Sequence, residues 1–179
     1  GYRYEFGGEQ EETVKTFQDL YRSMIISVIL ILIILVIEFN SYRQPLIIFL
    51  TIPLSFIGVL FGLLVSGQAL SFAAFIGLIS LAGIVVNDAI ILVDRMNKLK
   101  EKSENLLQSV KQGANSRLQP VILTTLTTAG GVIPLIWVDA FFREMAITII
   151  TGLLFASILT LVFIPVLYLR QQQKLTTKT

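Results

Sequence analysis

Gly83-Ile84-Val85-Val86-Asn87-Asp88-Ala89-Ile90-Ile91-Leu92-Val93-Asp94 puts a carboxyl group inside a run that otherwise has the composition of a membrane-spanning helix. From Phe72 to Val93 the strongly polar residues are Ser80, Asn87 and Asp88. A helix of that length crosses a hydrocarbon core of about 30 Å at ~1.5 Å per residue. Asp94 and Arg95 then mark the return to water. Asp88 precedes Asp94 by six residues, about 9 Å along a helix axis, which is too far for an aspartate to snorkel to the interface. An ionised aspartate facing lipid at mid-span costs roughly 2.5 to 3.5 kcal/mol even on insertion scales. Asp88 is therefore expected inside protein or in a wet cavity, and the chemistry it points to is the handling of protons or cations.

The rest of the composition agrees. Of 179 residues, 54% are hydrophobic and 15% charged, and the mean hydropathy is +0.78, values that suit an integral membrane protein. A net charge of +2 gives no reason to expect nucleic acid as a partner. With no cysteine and no histidine, thiolate and imidazole chemistry, disulfides and the common nucleophilic triads are unavailable within this chain, and no cofactor is implied. The opening residues Gly1 to Gly8 carry no signal-peptide pattern, and the chain reads as part of something longer.

Five spans are expected. Residues 1 to 8 read as the end of a strand and a glycine turn. Apolar residues at Val14, Phe17, Leu20, Tyr21 and Met24 then follow at helical spacing into a first span, Met24 to Phe39. That continuity is either a stalk rigidly coupled to the membrane or an ordinary helix overhanging it. After a tight turn at Asn40 to Pro45, the second span runs from Leu46 to Val65 with a kink at Pro53. Ser71 is a candidate N-cap for the third span, Phe72 to Val93. Residues 95 to 119 are polar. Leu106, Leu107, Val110, Ala114 and Leu118 recur there with the spacing of a helix lying on the membrane surface, a solvated linker being the alternative. The fourth span runs from Pro120 or Val121 to Trp137 and the fifth from Met145 to Leu169, followed by a polar tail over residues 170–179.

Five is odd, so the two ends lie on opposite sides. If the C-terminus is cytoplasmic, the inner segments hold ten Lys and Arg residues and the outer segments four, the asymmetry that the positive-inside rule demands. In this orientation Asp88 and the threonines at 124 to 128 fall at a common depth, about 6 to 12 Å from the inner ends of their helices. Thr124, Thr127 and Thr128 share one helix face. A hydrogen-bonded cluster of Asn87, Asp88 and these hydroxyls is one expectation. Threonines bonded to their own backbone and packed against a neighbour are the other.

Three blocks carry a resemblance: the Gly83 to Asp94 stretch, then Arg117-Leu118-Gln119-Pro120-Val121-Ile122-Leu123-Thr124-Thr125-Leu126-Thr127-Thr128, then Gly131-Val132-Ile133-Pro134-Leu135. They resemble the resistance-nodulation-division (RND) efflux transporters, and the similarity extends from Phe6-Gly7-Gly8 to Phe163-Ile164-Pro165-Val166-Leu167-Tyr168. The resemblance implies an all-α membrane protein whose five helices are spans eight to twelve, most of the second half of a twelve-helix bundle. Residues 1–23 would then be the end of an external porter domain and a helical stalk, 24–94 the first three of these helices, 95–119 a cytoplasmic helix or loop, and 120–169 the last two. It implies export of drugs or other small amphiphilic compounds by proton antiport across the bacterial inner membrane. The implied partners are the N-terminal part of the transporter, two further copies in a homotrimer, a periplasmic adaptor, an outer-membrane channel and the bilayer. It places Asn87 where drug exporters often carry a lysine, Thr124 on the relay threonine and Arg117 on the arginine at the inner end of span eleven. Asp88, read as an intramembrane acid, and Thr128, on the face of Thr124, complete the candidate proton relay. Asn87 departs from the pattern, since it removes a cation, and Asp88 adds an acid one residue later, resembling the motif of the first-half repeat. The competing expectation is a structural membrane subunit, or a fragment without transport activity, in which Asp88 only fixes packing.

The orientation predicts that cysteines introduced at Gln68 and Phe141 react with an impermeant reagent from outside, whereas those at Asn40, Ser103 and Lys174 react only after permeabilisation. External labelling at Ser103 rejects the orientation.

Overall fold

The computed structural model describes residues 9–102 and 105–176, with side chains over 14–102 and 105–173. The strand end expected over residues 1 to 8 lies outside the described residues, as do Ser103 and the last three residues of the tail. Six α-helices form: α1 (Glu9–Phe39), α2 (Arg43–Phe49), α3 (Thr51–Ser66), α4 (Phe72–Lys100), α5 (Leu106–Val132) and α6 (Ala140–Thr176). A 3-10 turn, Ile133–Trp137, follows α5. Together they give five segments long and apolar enough to cross a membrane: Val14–Phe39, Arg43–Ser66, Phe72–Lys100, Leu106–Trp137 and Ala140–Gln173. Helix is the expected solution, because a lipid-facing backbone must satisfy its polar groups within its own segment.

Local chemistry sets the boundaries. α1 is a single helix from the stalk into the first span, ending at Asn40, whose φ of 43° is the left-handed conformation common after a helix C-terminus. The second span is divided at Leu50. Pro53 lacks an N–H for the Phe49 carbonyl, so the ladder is interrupted three residues upstream of the proline, which is how the expected kink is realised. α3 ends on Gly67 at φ 67°, with Gln68 N–H bonded to the Leu63 carbonyl at 3.0 Å. Ser71 caps α4, its Oγ accepting from Ala74 N–H at 3.3 Å.

The segment from 95 to 119 differs from expectation. α4 continues to Lys100, and α5 begins at Leu106 and runs through Pro120 without a break. Its first three turns pack along the end of α4 instead of forming a separate element. Ser109, Val110 and Gly113 are the buried side, and Leu107 and Leu118 of the expected apolar stripe are exposed. The reason is Gly113. A Cβ there would sit 2.8 Å from Met96 Cγ, so the bare glycine lets the two helices close on each other.

α6 is the centre of the bundle, touching α2, α3, α4 and α5, whereas among the described residues α1 packs on α2 and α4 and leaves Ile26, Ile29, Ile33 and Ile34 exposed. The contact between α3 and α6 is made by Gly58 and Gly62. An added Cβ would lie 2.4 Å from Phe155 Cβ at the first and 2.0 Å from Thr151 Oγ1 at the second. Glycines four apart let two helix backbones approach closely, and in a bilayer such packing replaces the missing hydrophobic drive. Two apolar clusters result. One holds Val59, Leu63, Leu78, Leu81, Val85, Leu153 and Ala156. The other holds Ile48, Val86, Ala89, Leu92, Met96, Ile164 and Tyr168.

Gly62→Ala is expected to destabilise the bundle by about 1 to 3 kcal/mol, with part of the loss recovered on adding Thr151→Ala, because the two side chains claim the same space. Thermal unfolding in detergent measures both. A Gly62→Ala protein as stable as the parent rejects the close approach.

Candidate functional site at the buried aspartate of helix four

α4 is held at both ends before its acid is reached. At its N-terminus, Ser71 caps the helix and also donates to the Glu144 carboxylate at the start of α6. At its other end, Asn97 Oδ1 accepts from Tyr168 Oη at 2.6 Å and from Gln44 Nε2 at 3.1 Å, and Asn97 Nδ2 returns a bond to Gln44 Oε1 at 2.9 Å. One turn on, Lys100 Nζ donates to Gln172 Oε1 at 2.8 Å. These groups tie α2, α4 and α6 together, and the fully buried Tyr168 ring is part of the apolar cluster beside them. Each such bond contributes about 0.5 to 1.5 kcal/mol net, and more is lost if its buried partner is left unpaired.

Asp88 stands between these anchors. It is 7% exposed, and its Oδ2 is enclosed without a hydrogen-bond partner among the described residues. It lies on the side of α4 that carries Gly77 and Leu81, separated from them by eleven and seven residues, so that all three point within about 40° of one another at 100° per residue. That side looks at α6. A Cβ on Gly77 would meet Thr148 Cβ at 3.2 Å, and a Cβ on Gly152 would meet Leu81 Cδ2 at 2.2 Å. Asn87, one position earlier and turned about 100° away, is exposed.

The threonines of α5 are arranged differently from the sequence expectation of a cluster around the acid. Thr124 is exposed and its Oγ1 donates to the Val121 carbonyl of its own helix at 2.9 Å. Thr127 is exposed and bonds the Leu123 carbonyl at 2.8 Å, and Thr128 is half-buried. Among the described residues no hydrogen bond joins Asn87 or Asp88 to any of them. The inward side of α5 is the row Val121, Thr125 and Ala129. Thr125 Oγ1 lies 2.7 Å from Ser157 Oγ of α6. Since the Ser157 hydroxyl donates to the Leu153 carbonyl, Thr125 is the donor of this pair. Arg117 is half-buried with its Nε enclosed and unpartnered.

Sequence reasoning thus missed the hydroxyls of the interior: Thr125, Thr148, Ser157 and Thr160, all buried. The four-residue spacing of Val121, Thr125 and Ala129 was the available signal for the first. The others lie on a helix apolar all round, which has no polar face to orient it. No group of three His, Cys, Asp or Glu side chains suited to a metal ion occurs among the described residues.

Known proteins share this arrangement. The Bacillus subtilis (strain 168) swarming motility protein SwrC is 31% identical over 167 residues, 90% of this chain. The multidrug resistance protein MdtC of Proteus mirabilis (strain HI4320) is 32% identical over 166 residues, 88% of the chain. The crystal structure of a heavy metal efflux pump superposes with a TM-score of 0.79 at 30% identity, covering 93% of the chain. The chain spans only 16% of the length of SwrC and of MdtC and 17% of that pump. The helical bundle around Asp88 therefore has the fold of the corresponding part of that pump, and the match of residues 1–171 to the AcrB/AcrD/AcrF family model shows that the chain belongs to that family of RND transporters.

Proposed function

We propose that these helices are the membrane part of a proton-driven exporter in which Asp88 takes up a proton on one side of the membrane and releases it on the other. The observation that carries this reading is a carboxyl buried at mid-span with one oxygen unpartnered. A group meant only to fix packing is normally hydrogen-bonded on both oxygens, because an unsatisfied buried acceptor costs about 1 to 3 kcal/mol. A residue that binds and gives up a proton needs a free valence at the moment of exchange. Intramembrane acids that face a bundle interior commonly serve such pathways.

In this reading Asn87 and Thr124, both exposed, and the half-buried Thr128 and Arg117 lie open to helices of the N-terminal half, which supplies the further acids of the relay. A protonated Asp88 is neutral and tolerates an apolar surround, whereas an ionised one draws in polar partners. That difference favours two packings of the two repeats and so couples proton movement to alternating access. The similarity to MdtC supports drugs or other small amphiphilic compounds as cargo, recognised by external domains outside these helices. The similarity to the heavy metal efflux pump supports a metal cation as the second reading. The transporter sits in the bacterial inner membrane with its C-terminus cytoplasmic and works as a homotrimer with a periplasmic adaptor and an outer-membrane channel.

Asp88→Asn preserves size and hydrogen bonding but removes the exchangeable proton, so proton-coupled export is expected to fall by roughly 10²-fold or more while insertion and assembly persist. Thr124→Ala, which forfeits a bond to its own backbone and an exposed hydroxyl that a water can replace, should lose far less. Export at the parental rate by Asp88→Asn, at matched expression and proton gradient, rejects the proton-carrier role.

A further inference from the structure

α4 and α6 run side by side in the same direction with a fixed register. Thr148 is the neighbour of Gly77, and Gly152 of Leu81. Tyr168 is bonded to Asn97 across a separation of 71 residues, and Gln172 to Lys100 across 72. The same offset carried to Asp88 falls on Leu159 and Thr160. Thr160 is 2% exposed, and its Oγ1 is enclosed without a partner, as is Asp88 Oδ2.

The apolar clusters bracket both residues in the same way. On α4, Val85 belongs to one cluster and Val86 and Ala89 to the other. On α6, Ala156 belongs to the first and Ile164 to the second, with Thr160 four residues from each. Asp88 and Thr160 therefore occupy the seam where the two clusters meet. The Thr160 hydroxyl, like that of Thr148 nearer the start of the helix, differs from those of Thr151 and Ser157. Thr151 and Ser157 each spend their proton on the carbonyl four residues back, at 2.7 and 2.8 Å, the usual resort of a hydroxyl in an apolar helix. Thr160 makes no such bond among the described residues.

We infer that Thr160 is the hydroxyl partner of Asp88, joined to it across one water, and that it positions the carboxyl in both protonation states. Facing side chains on helices ~8 to 10 Å apart are within reach of one another. A hydroxyl suits the task because it donates to a carboxylate and accepts from a carboxylic acid by turning its proton, which neither an ammonium nor an aliphatic group can do. The partner thus comes from α6, the helix with no polar face, while the exposed Thr124 is left for contacts outside this bundle. Its functional meaning rests on the proposed proton-carrier role of Asp88, but its geometry does not.

The test is infrared difference spectroscopy on the full-length protein in proteoliposomes. The band assigned to Asp88 is the one lost in Asp88→Asn, whether it falls in the carboxylic acid or the carboxylate region. Thr160→Val, which keeps the shape of the side chain without the hydroxyl, is expected to shift that band, and Thr160→Ser to return it to the parental position. Export is expected to slow several-fold in Thr160→Val and to recover in Thr160→Ser. An Asp88 band unmoved by Thr160→Val, or moved equally by both substitutions, overturns the inference. A shifted and restored band together with parental export by Asp88→Asn supports the pairing and rejects the proton-carrier reading instead.

Discussion

The bundle depends on how closely α6 can approach its neighbours. Lipid tails are as apolar as leucine, so membrane helices gain little by burying apolar surface against one another, and packing contacts and interhelical hydrogen bonds must hold them. Here the packing is made possible by missing side chains. Gly58 and Gly62 on α3 leave room for Phe155 and Thr151, Gly152 on α6 leaves room for Val59 and Leu81, and Gly77 on α4 leaves room for Thr148 and the Met145 carbonyl. A methyl group at Gly58, Gly62 or Gly152 would overlap side-chain atoms already in place, and one at Gly77 would crowd the Met145 carbonyl oxygen at 3.0 Å. The central position of α6 follows, and with it the two clusters on either side of mid-span.

Hydrogen bonds then fix what packing alone leaves free. Shape complementarity between two apolar helices tolerates a slide of one turn if ridges and grooves still mesh. The Asn97, Gln44 and Tyr168 group and the Lys100 to Gln172 bond do not, because each partner must meet a particular atom. With Ser71 bound to Glu144 at the opposite end, α4 is pinned to α6 at both ends. The polar residues of the middle are thereby held in register without having to hold the helices together. In the proposed mechanism Asp88 changes protonation and Thr160 turns its hydroxyl while the ends stay fixed, the mechanical condition for a switch inside a rigid pair.

The asymmetry of burial separates the polar residues of the bundle into an enclosed set and an open set. The enclosed side holds Asp88, Thr125, Ser157 and Thr160. Asn87 and Thr124 are exposed. For a chain that spans about a sixth of its relatives, an open polar side is where the remaining helices are proposed to complete the relay. Asn87 in place of a cation makes the acid of the enclosed side more important to the proposed mechanism, since charge pairing across the open side is weakened.

The number of spans, the continuity of α1, the cap at Ser71, the break before Pro53 and the burial of Asp88 were determined by the sequence alone. Each depends on local chemistry or on one residue's solvation, and neither requires knowing a neighbour. The bonding of the threonines was decided only in the tertiary structure. Thr124, Thr127 and Thr128 do share a face, but the face that turns inward is set by the shape of α6, and it is the one bearing Thr125. The fourth span was expected to start at Pro120 or Val121 after a surface helix or linker, yet Gly113 against Met96 draws the preceding turns into the bundle and one helix runs through Pro120. Thr160 could not be read at all. Its proposed role follows from its register against α4, and register between two apolar helices resides in the contacts between them, which no single helix encodes.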